Sequence, residues 1–315
     1  MATITDDEIA SVSLADADND PQAFADKLGH SFERYGFAII ADHGIPDALI
    51  KRAEDKAKAF FALPDETKRE YLVGGGGGQR GYTPFGIETA KGAKAHDLKE
   101  FWHVGRDLPP GHRFRNHMPD NVWPAEVESF EATFKELYAA FDRSGLKILK
   151  AIARYLKVDE RLFEDSVRDG NSVLRMLHYP PIPKPTGEHI RAGAHEDINA
   201  ITLLLGAEEA GLELLTLDGR WIPVSPRPGE LVVNIGDMLQ RLTNGRLRST
   251  SHRVVNPAPD RASHARYSMP FFLHFRSDFL IEALPETVPP GEQAKWPPIT
   301  ADDYLQQRLR EIKLV

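Results

Sequence analysis

The chain contains no cysteine. Disulfides, thiolate zinc sites, iron–sulfur clusters and a Cys nucleophile are thereby excluded, and any metal must be held by His, Asp, Glu or backbone oxygen. Positive charge is in short supply: 39 Lys and Arg stand against 47 Asp and Glu, a formal net charge of −8, and no dense Lys/Arg run occurs. That balance argues against a nucleic-acid groove or an anionic membrane surface as the main partner. Local positive charge at an acidic small-molecule site stays open. No apolar run approaches ~18 residues, so no membrane span is expected. The opening residues, MATITDDEIA, lack the basic-then-apolar order of a signal peptide, which makes a cytoplasmic protein the expectation. What is present is a chain of 315 residues, 41% of them hydrophobic. This suffices for a well-buried core in one large or two ordinary domains.

The first half reads as helical. Residues 21–35 place Phe24, Leu28, Phe32 and Tyr35 at helical spacing behind Pro21, and Gly36 should stop the helix. FAII at 37–40 reads as a short buried strand. A second helix is expected over 46–61 and a third from Pro64 to about Tyr71. Five glycines at 74–78 form either a mobile loop over a site or a plain connector; no Gly-Lys-Ser/Thr follows, so they are not a phosphate loop. Residues 82–118 read as loop, 124–156 as the longest helix and 159–167 as a short one. From 171 the period changes to that of strands: 173–179, 200–206, 212–218, 220–225, 230–236, 250–256 and 265–275, parted by Gly, Pro and Asp turns. Strands of this length and spacing indicate a jelly-roll sandwich or barrel. A helix should return at 300–312. The predicted class is α+β: a jelly-roll core with a helical N-terminal region and packing helices, divided as 1–120, 121–170 and 171–315.

Three residues stand out chemically. His195 and Asp197 sit in HED, and His252 follows 55 positions after Asp197 in SHR. Two imidazoles and one carboxylate are the ligand set of the non-haem iron facial triad, which leaves positions open for oxygen and a co-substrate. Positions i and i+2 of a strand share a face, so a short strand or its end could offer both His195 and Asp197. A solvated His-x-Asp in a loop, and a core role for His252, are the competing readings. Arg266 and Ser268 share one strand face. A guanidinium facing into a barrel needs an anion: either a co-substrate carboxylate, with the Ser hydroxyl adding a donor, or a buried Asp or Glu. Tyr179 could be a further carboxylate donor or a core tyrosine. A second Arg-x-Ser, Arg261 and Ser263, falls in an expected hairpin turn and reads as coincidence.

The motifs HED, SHR and RYS, with LRMLHYPP at 174–181, VVNIGDMLQRLTNG at 232–245 and STSHRVVNP at 249–257, resemble the isopenicillin N synthase-like family of iron(II)/2-oxoglutarate-dependent dioxygenases. The N-terminal half agrees through GFAIIADHGIP at 36–46, FFALPDETK at 60–68, RGYTPFG at 80–86 and DLKEFWHVG at 97–105. The resemblance runs in consistent order from about residue 20 to 310. It implies a double-stranded β-helix core, with His195, Asp197 and His252 matching the iron ligands. Arg266 and Ser268 match the clamp for the far carboxylate of 2-oxoglutarate, with Tyr179 as a third contact. Phe272 falls where the family places a substrate-facing aromatic, on the Arg266/Ser268 face by alternation. The implied cofactors are Fe(II), 2-oxoglutarate as co-substrate and O2. The implied reaction oxidises a small organic substrate by hydroxylation, desaturation or ring closure, with release of succinate and CO2. Leu177 departs from the pattern, since many members carry Asn there, and the turn at PAPDRAS is longer than usual. Glu196 should point away from the metal.

Arg175 and Lys99 could meet an acidic substrate group, although surface or salt-bridge roles compete. Phe85 could line the substrate entrance, Trp221 reads as packing, and Asn234 and Asp237 should fix turns near the barrel mouth. Three other functions compete: an iron oxidase of the same fold that uses no 2-oxoglutarate, a barrel that binds metal or ligand without catalysis, and a zinc hydrolase. The last lacks an HExxH helix and leaves the clamp unexplained.

Overall fold

Pro21 and Gly36 bound the first long helix as the sequence predicts. The Asp20 carboxylate caps it by accepting from Ala23 N, and Gly36 leaves it at φ +69°, a left-handed conformation that glycine adopts without steric cost. The structure is a computed structural model describing residues 9–74, 79–87, 96–182, 190–205, 211–258 and 261–311. Four of the five glycines at 74–78 lie outside the described residues.

The N-terminal part runs β1 (Ser11–Ser13), α1 (Asp16–Asn19), α2 (Pro21–Tyr35), β2 (Phe37–Ala41), α3 (Asp47–Phe61), α4 (Asp65–Arg69), β3 (Gly81–Thr83) and β4 (Glu100–Gly105). Two helices follow, α5 (Phe130–Leu156) and α6 (Arg161–Val167), then β5 (Val173–Tyr179), β6 (Ala192–His195), β7 (Ile201–Leu205), β8 (Leu212–Leu215), β9 (Trp221–Pro223) and β10 (Leu231–Ile235). The chain closes with α7 (Asp237–Leu242), β11 (His252–Val254), β12 (Arg266–Leu273), β13 (Leu280–Ile281), β14 (Ile299–Thr300) and α8 (Ala301–Glu311). Eight strands pair in the order β1-β2-β10-β7-β12-β5-β4-β3, and four face them in the order β6-β11-β8-β9. These are the two sheets of a jelly roll on an α+β chain.

Alternation along the strands sorts the side chains. Phe271 of β12 points outward, stacked on Phe141 of α5 with ring centroids 5.4 Å apart. Its neighbours Pro270 and Phe272 point inward. Phe37, Ile39, Val232, Leu214 and Ile222 fill the space between the sheets. Among the described residues no helix is long and apolar enough to cross a membrane.

Two expectations need correction. Residues 82–118 are not all loop: β3 and β4 extend the large sheet at its edge. The polar residues of β4 disguised a strand buried along its whole length. Glu100 is satisfied by Lys68 Nζ at 2.8 Å, His178 Nδ1 at 2.7 Å and the Tyr82 hydroxyl, and His103 accepts from Arg175 Nε. A buried charge is tolerated when it is paired and hydrogen-bonded in this way. The long helix begins at Phe130 rather than 124, because Ser129 sits at φ +59° and breaks the helical path.

Candidate metal centre and its surroundings

His195 ends β6, and His252 opens β11 directly across the ladder from it. Their rings lie 4.4 Å apart, centroid to centroid. Asp197 is at the strand's end rather than on it, the second of the two placements expected for the pair. It lies just past the end of β6, where the chain bends back toward β7. It is brought in by its own hydrogen bonds rather than by strand alternation: Oδ2 accepts from Asn234 Nδ2 at 2.8 Å and from the Thr202 hydroxyl. The backbone N–H of Asp237 donates to Asp197 O at 2.7 Å. Asn234 therefore aims the Asp197 carboxylate, a role that the expected turn-fixing position missed.

One donor atom from each of the three side chains lies within 4.8 Å of the others. Asp197 Oδ1 is 3.8 Å from His195 Nε2 and 3.8 Å from His252 Nε2. The Nδ1 atom of His195 faces Gly193 O at 2.7 Å, and that of His252 faces Thr250 O at 3.1 Å. An Nδ1–H donated to a carbonyl fixes the tautomer that leaves the Nε2 lone pair for a metal. With Oδ2 of Asp197 engaged, Oδ1 is the oxygen that remains. The donor set thus fits a facially bound iron(II) by atom type, tautomer and spacing.

Protein crowds His195 even though its side chain keeps 38% of its surface open. Burial, with His252 adding to it, pushes its imidazole down to about 4. Burial alone would raise Asp197. The neighbouring imidazoles and the donors Asn234 and Thr202 outweigh it and hold the carboxyl below its usual range. Both groups are therefore in metal-binding form near neutral pH. Glu196 between them is exposed, as expected.

Arg266 and Ser268 lie on the inner face of β12, both buried, with Arg266 Nη1 donating to Ser268 Oγ at 3.1 Å. Tyr179 is across the ladder from Arg266, whose guanidinium lies 5.1 Å from the ring centroid. Leu177 faces Ser268 and joins Phe101 and Tyr179 in a small buried apolar patch. Sequence reasoning missed Arg191, fully buried with its guanidinium 5.9 Å from the Tyr179 ring centroid. Its place on the run leading into β6 gave no periodic signal.

Arg175 lies over Phe101 at 4.2 Å and over Phe272 at 5.3 Å, so both expected substrate-side residues share one patch. Lys99 instead pairs with Asp97 at 2.8 Å, both buried, and Asp97 Oδ1 accepts from Gly193 N at 3.0 Å, bracing the start of β6. Phe85 is 44% exposed beside His96, and no contact among the described residues joins it to the three ligands. Arg253 covers the Trp221 ring at 4.1 Å, a packing role. Arg261 and Ser263 fall in a turn.

His274, just past β12, is buried and has its imidazole pushed down to about 4 by that burial. The unfolded chain titrates near 6.5, so it binds a proton that the fold refuses. Stability should fall as pH drops from about 6.5 toward 4, by up to about 3 kcal/mol for this one group. Thermal melts of His274→Leu across that window should show a shallower acid limb; an unchanged limb would refute the assignment.

Comparison with known proteins agrees with this geometry. Residues 9–126 match the family described as non-haem dioxygenase in morphine synthesis N-terminal, and residues 170–275 match the 2OG-Fe(II) oxygenase superfamily. The chain is 37% identical to the 2-oxoglutarate-Fe(II) type oxidoreductase hxnY of Emericella nidulans, over 89% of this chain and 82% of that protein. It is 60% identical to a Caulobacter crescentus 2OG-Fe(II) oxygenase family protein of known structure, with a TM-score of 0.90 covering 96% of this chain and 99% of that one. A full-length Neurospora crassa protein, crystallised in complex with alpha-KG and thymine, is 28% identical, with a TM-score of 0.87 and 98% of each chain covered. Iron(II), 2-oxoglutarate and O2 are the cofactors and oxidant of these enzymes. The chain belongs to the iron(II)/2-oxoglutarate-dependent dioxygenases and is an oxidoreductase of that class.

Proposed function

We propose that iron(II) is held by His195 Nε2, Asp197 Oδ1 and His252 Nε2, and that the far carboxylate of 2-oxoglutarate rests on Arg266 and Ser268 with Tyr179 beside it. The observation that carries this reading is the spacing of three donor atoms within 4.8 Å, each with its other polar atom already engaged. When bound, iron and 2-oxoglutarate supply the oxidising chemistry, in which the oxo-acid is decarboxylated to succinate and CO2 as O2 is consumed. The protein positions and excludes water. Thr202 and Asn234 turn the Asp197 carboxylate. Arg266 offers a planar fork to a dicarboxylate, and the Phe101, Leu177 and Tyr179 patch keeps its surroundings dry. Phe272 and Arg175 form a wall for the substrate.

We read the substrate as a small organic molecule rather than a nucleic acid or a membrane lipid. The net charge of −8 supports this, and so does the thymine bound by the Neurospora crassa relative. We read the chain as three segments, 1–120, 121–170 and 171–315, a division supported by the packing of α5 on α2 and α3 of the first and on β7 and β12 of the last.

Oxygen uptake with succinate release in the presence of iron(II) and 2-oxoglutarate tests the reading. Turnover without any added oxo-acid would replace it by the oxidase alternative. Asn234→Ala should lower iron affinity about 10- to 100-fold, the usual cost of losing a partner that orients a ligand. A metal titration giving wild-type affinity would remove Asn234 from that role.

A further inference from the structure

The inner face of the large sheet has two polar ends. Arg266 and Tyr179 occupy one. The other begins at a row that crosses the sheet in register, Thr202–Phe272–Val173–Gly105, starting from the residue that holds Asp197. Three buried polar side chains lie at this end of the sheet: Arg80 against Gly105, Asn171 just before β5 and His274 just after β12.

Gly105 follows Phe101 and His103 on the inward side of β4. A Cβ there would lie 1.8 Å from Arg80 Cζ, so the Arg80 guanidinium occupies the space that only a glycine leaves free. Val173 and Phe272 are ladder partners; Asn171 precedes the first by two residues and His274 follows the second by two. Asn171 Nδ2 donates to Gln79 Oε1 at 3.5 Å, which ties it to the residue before Arg80. Arg80, Asn171 and His274 are 1%, 5% and 7% exposed. Arg80 Nη1 donates to Gln79 O at 2.8 Å, but Nε and Nη2 have no hydrogen-bond partner among the described residues. The same holds for Asn171 Oδ1 and His274 Nδ1. No ion pair holds Arg80 among the described residues. Asp107 and Asp120 attract it only from beyond ion-pair distance, and a buried cation held by no paired carboxylate is costly in a protein that does not use it.

Nε and Nη2 form the side-on edge of a guanidinium, two parallel donors matched to a carboxylate. Asn171 Oδ1 can only accept, so it asks for an N–H or O–H on the ligand. Phe272 supplies a flat apolar surface. We propose that Arg80 binds a carboxylate of the primary substrate, and that this substrate is a small organic acid carrying a hydrogen-bond donor that Asn171 receives. The inference rests on the iron and 2-oxoglutarate sites proposed above and adds the chemical class of the molecule oxidised beside them.

The test uses the full chain under anaerobic conditions, saturated with iron(II) and 2-oxoglutarate so that the Arg266 clamp is filled. The absorbance of that complex is read first; if it does not form in the wild type, the site reading falls and this inference with it. 4-Hydroxybenzoate and 4-hydroxybenzamide are then titrated in and followed by calorimetry. The acid should bind at least about 10-fold tighter than the amide, the margin expected of a charge-assisted hydrogen-bonded pair. Arg80→Gln should erase that margin while the iron complex still forms. Should Arg80→Gln fold poorly, Arg80→Lys keeps the charge without the fork and should shrink the margin severalfold. Equal binding of acid and amide, no binding of either, or an undiminished margin in the variants would each overturn the inference while leaving the iron site intact.

Discussion

Asp197→Ala should strip the enzyme of iron and reduce 2-oxoglutarate-coupled oxygen uptake to background. The carboxylate is the only anionic member of the set, and without it two neutral imidazoles face a divalent ion. Loss of a partner that merely orients a ligand costs about 10- to 100-fold in affinity, so loss of the ligand itself should exceed about 100-fold. Iron content after dialysis and succinate release are the readouts. The variant should still fold. It relieves a buried charge but orphans Asn234 Nδ2, which Asp197 Oδ2 accepts at 2.8 Å. That orphaned donor costs about 1–3 kcal/mol, a modest loss that a thermal melt would register separately from the loss of metal. Wild-type iron content in Asp197→Ala would mean that the ion is held elsewhere.

Arg266→Ala should act on the co-substrate instead. Removing one side of a buried hydrogen-bonded charge pair costs about 2–4 kcal/mol, so the KM for 2-oxoglutarate should rise roughly 30- to 1000-fold. Iron affinity measured without 2-oxoglutarate should stay within about twofold, because Arg266 and Tyr179 sit at the opposite end of the inner face from the Thr202–Phe272 row. Arg266→Lys should fall between, since it keeps the charge but loses the planar fork. Equal loss of iron in Asp197→Ala and Arg266→Ala would contradict the division of labour between ligands and clamp.

The parts of this chain legible in its sequence are those where one local rule dominates. Helical spacing from Phe24 to Tyr35, with Pro21 and Gly36 at its ends, yields α2 to the residue. Alternation along β12 puts Arg266, Ser268 and Phe272 on one face, and Arg266 indeed meets Tyr179 and Phe272 meets Arg175, alternate residues of β5. The sequence is silent where tertiary partners decide. β4 looked like loop because Glu100 and His103 find their partners in α4, β3 and β5. Asp197 matched the expected ligand type, but its aim comes from Thr202 and Asn234, the latter 37 residues away. Arg80 opens the RGYTPFG motif, but nothing in the sequence marked it or Asn171 as buried without a partner, which is visible only once the strands are in register.

The most direct test of the central claim is a crystal structure grown without oxygen in the presence of iron(II) and 2-oxoglutarate. The account predicts one metal ion bonded to His195 Nε2, Asp197 Oδ1 and His252 Nε2, with the co-substrate running from it toward Arg266. A metal bound to other side chains, or a 2-oxoglutarate carboxylate resting away from Arg266, would contradict it.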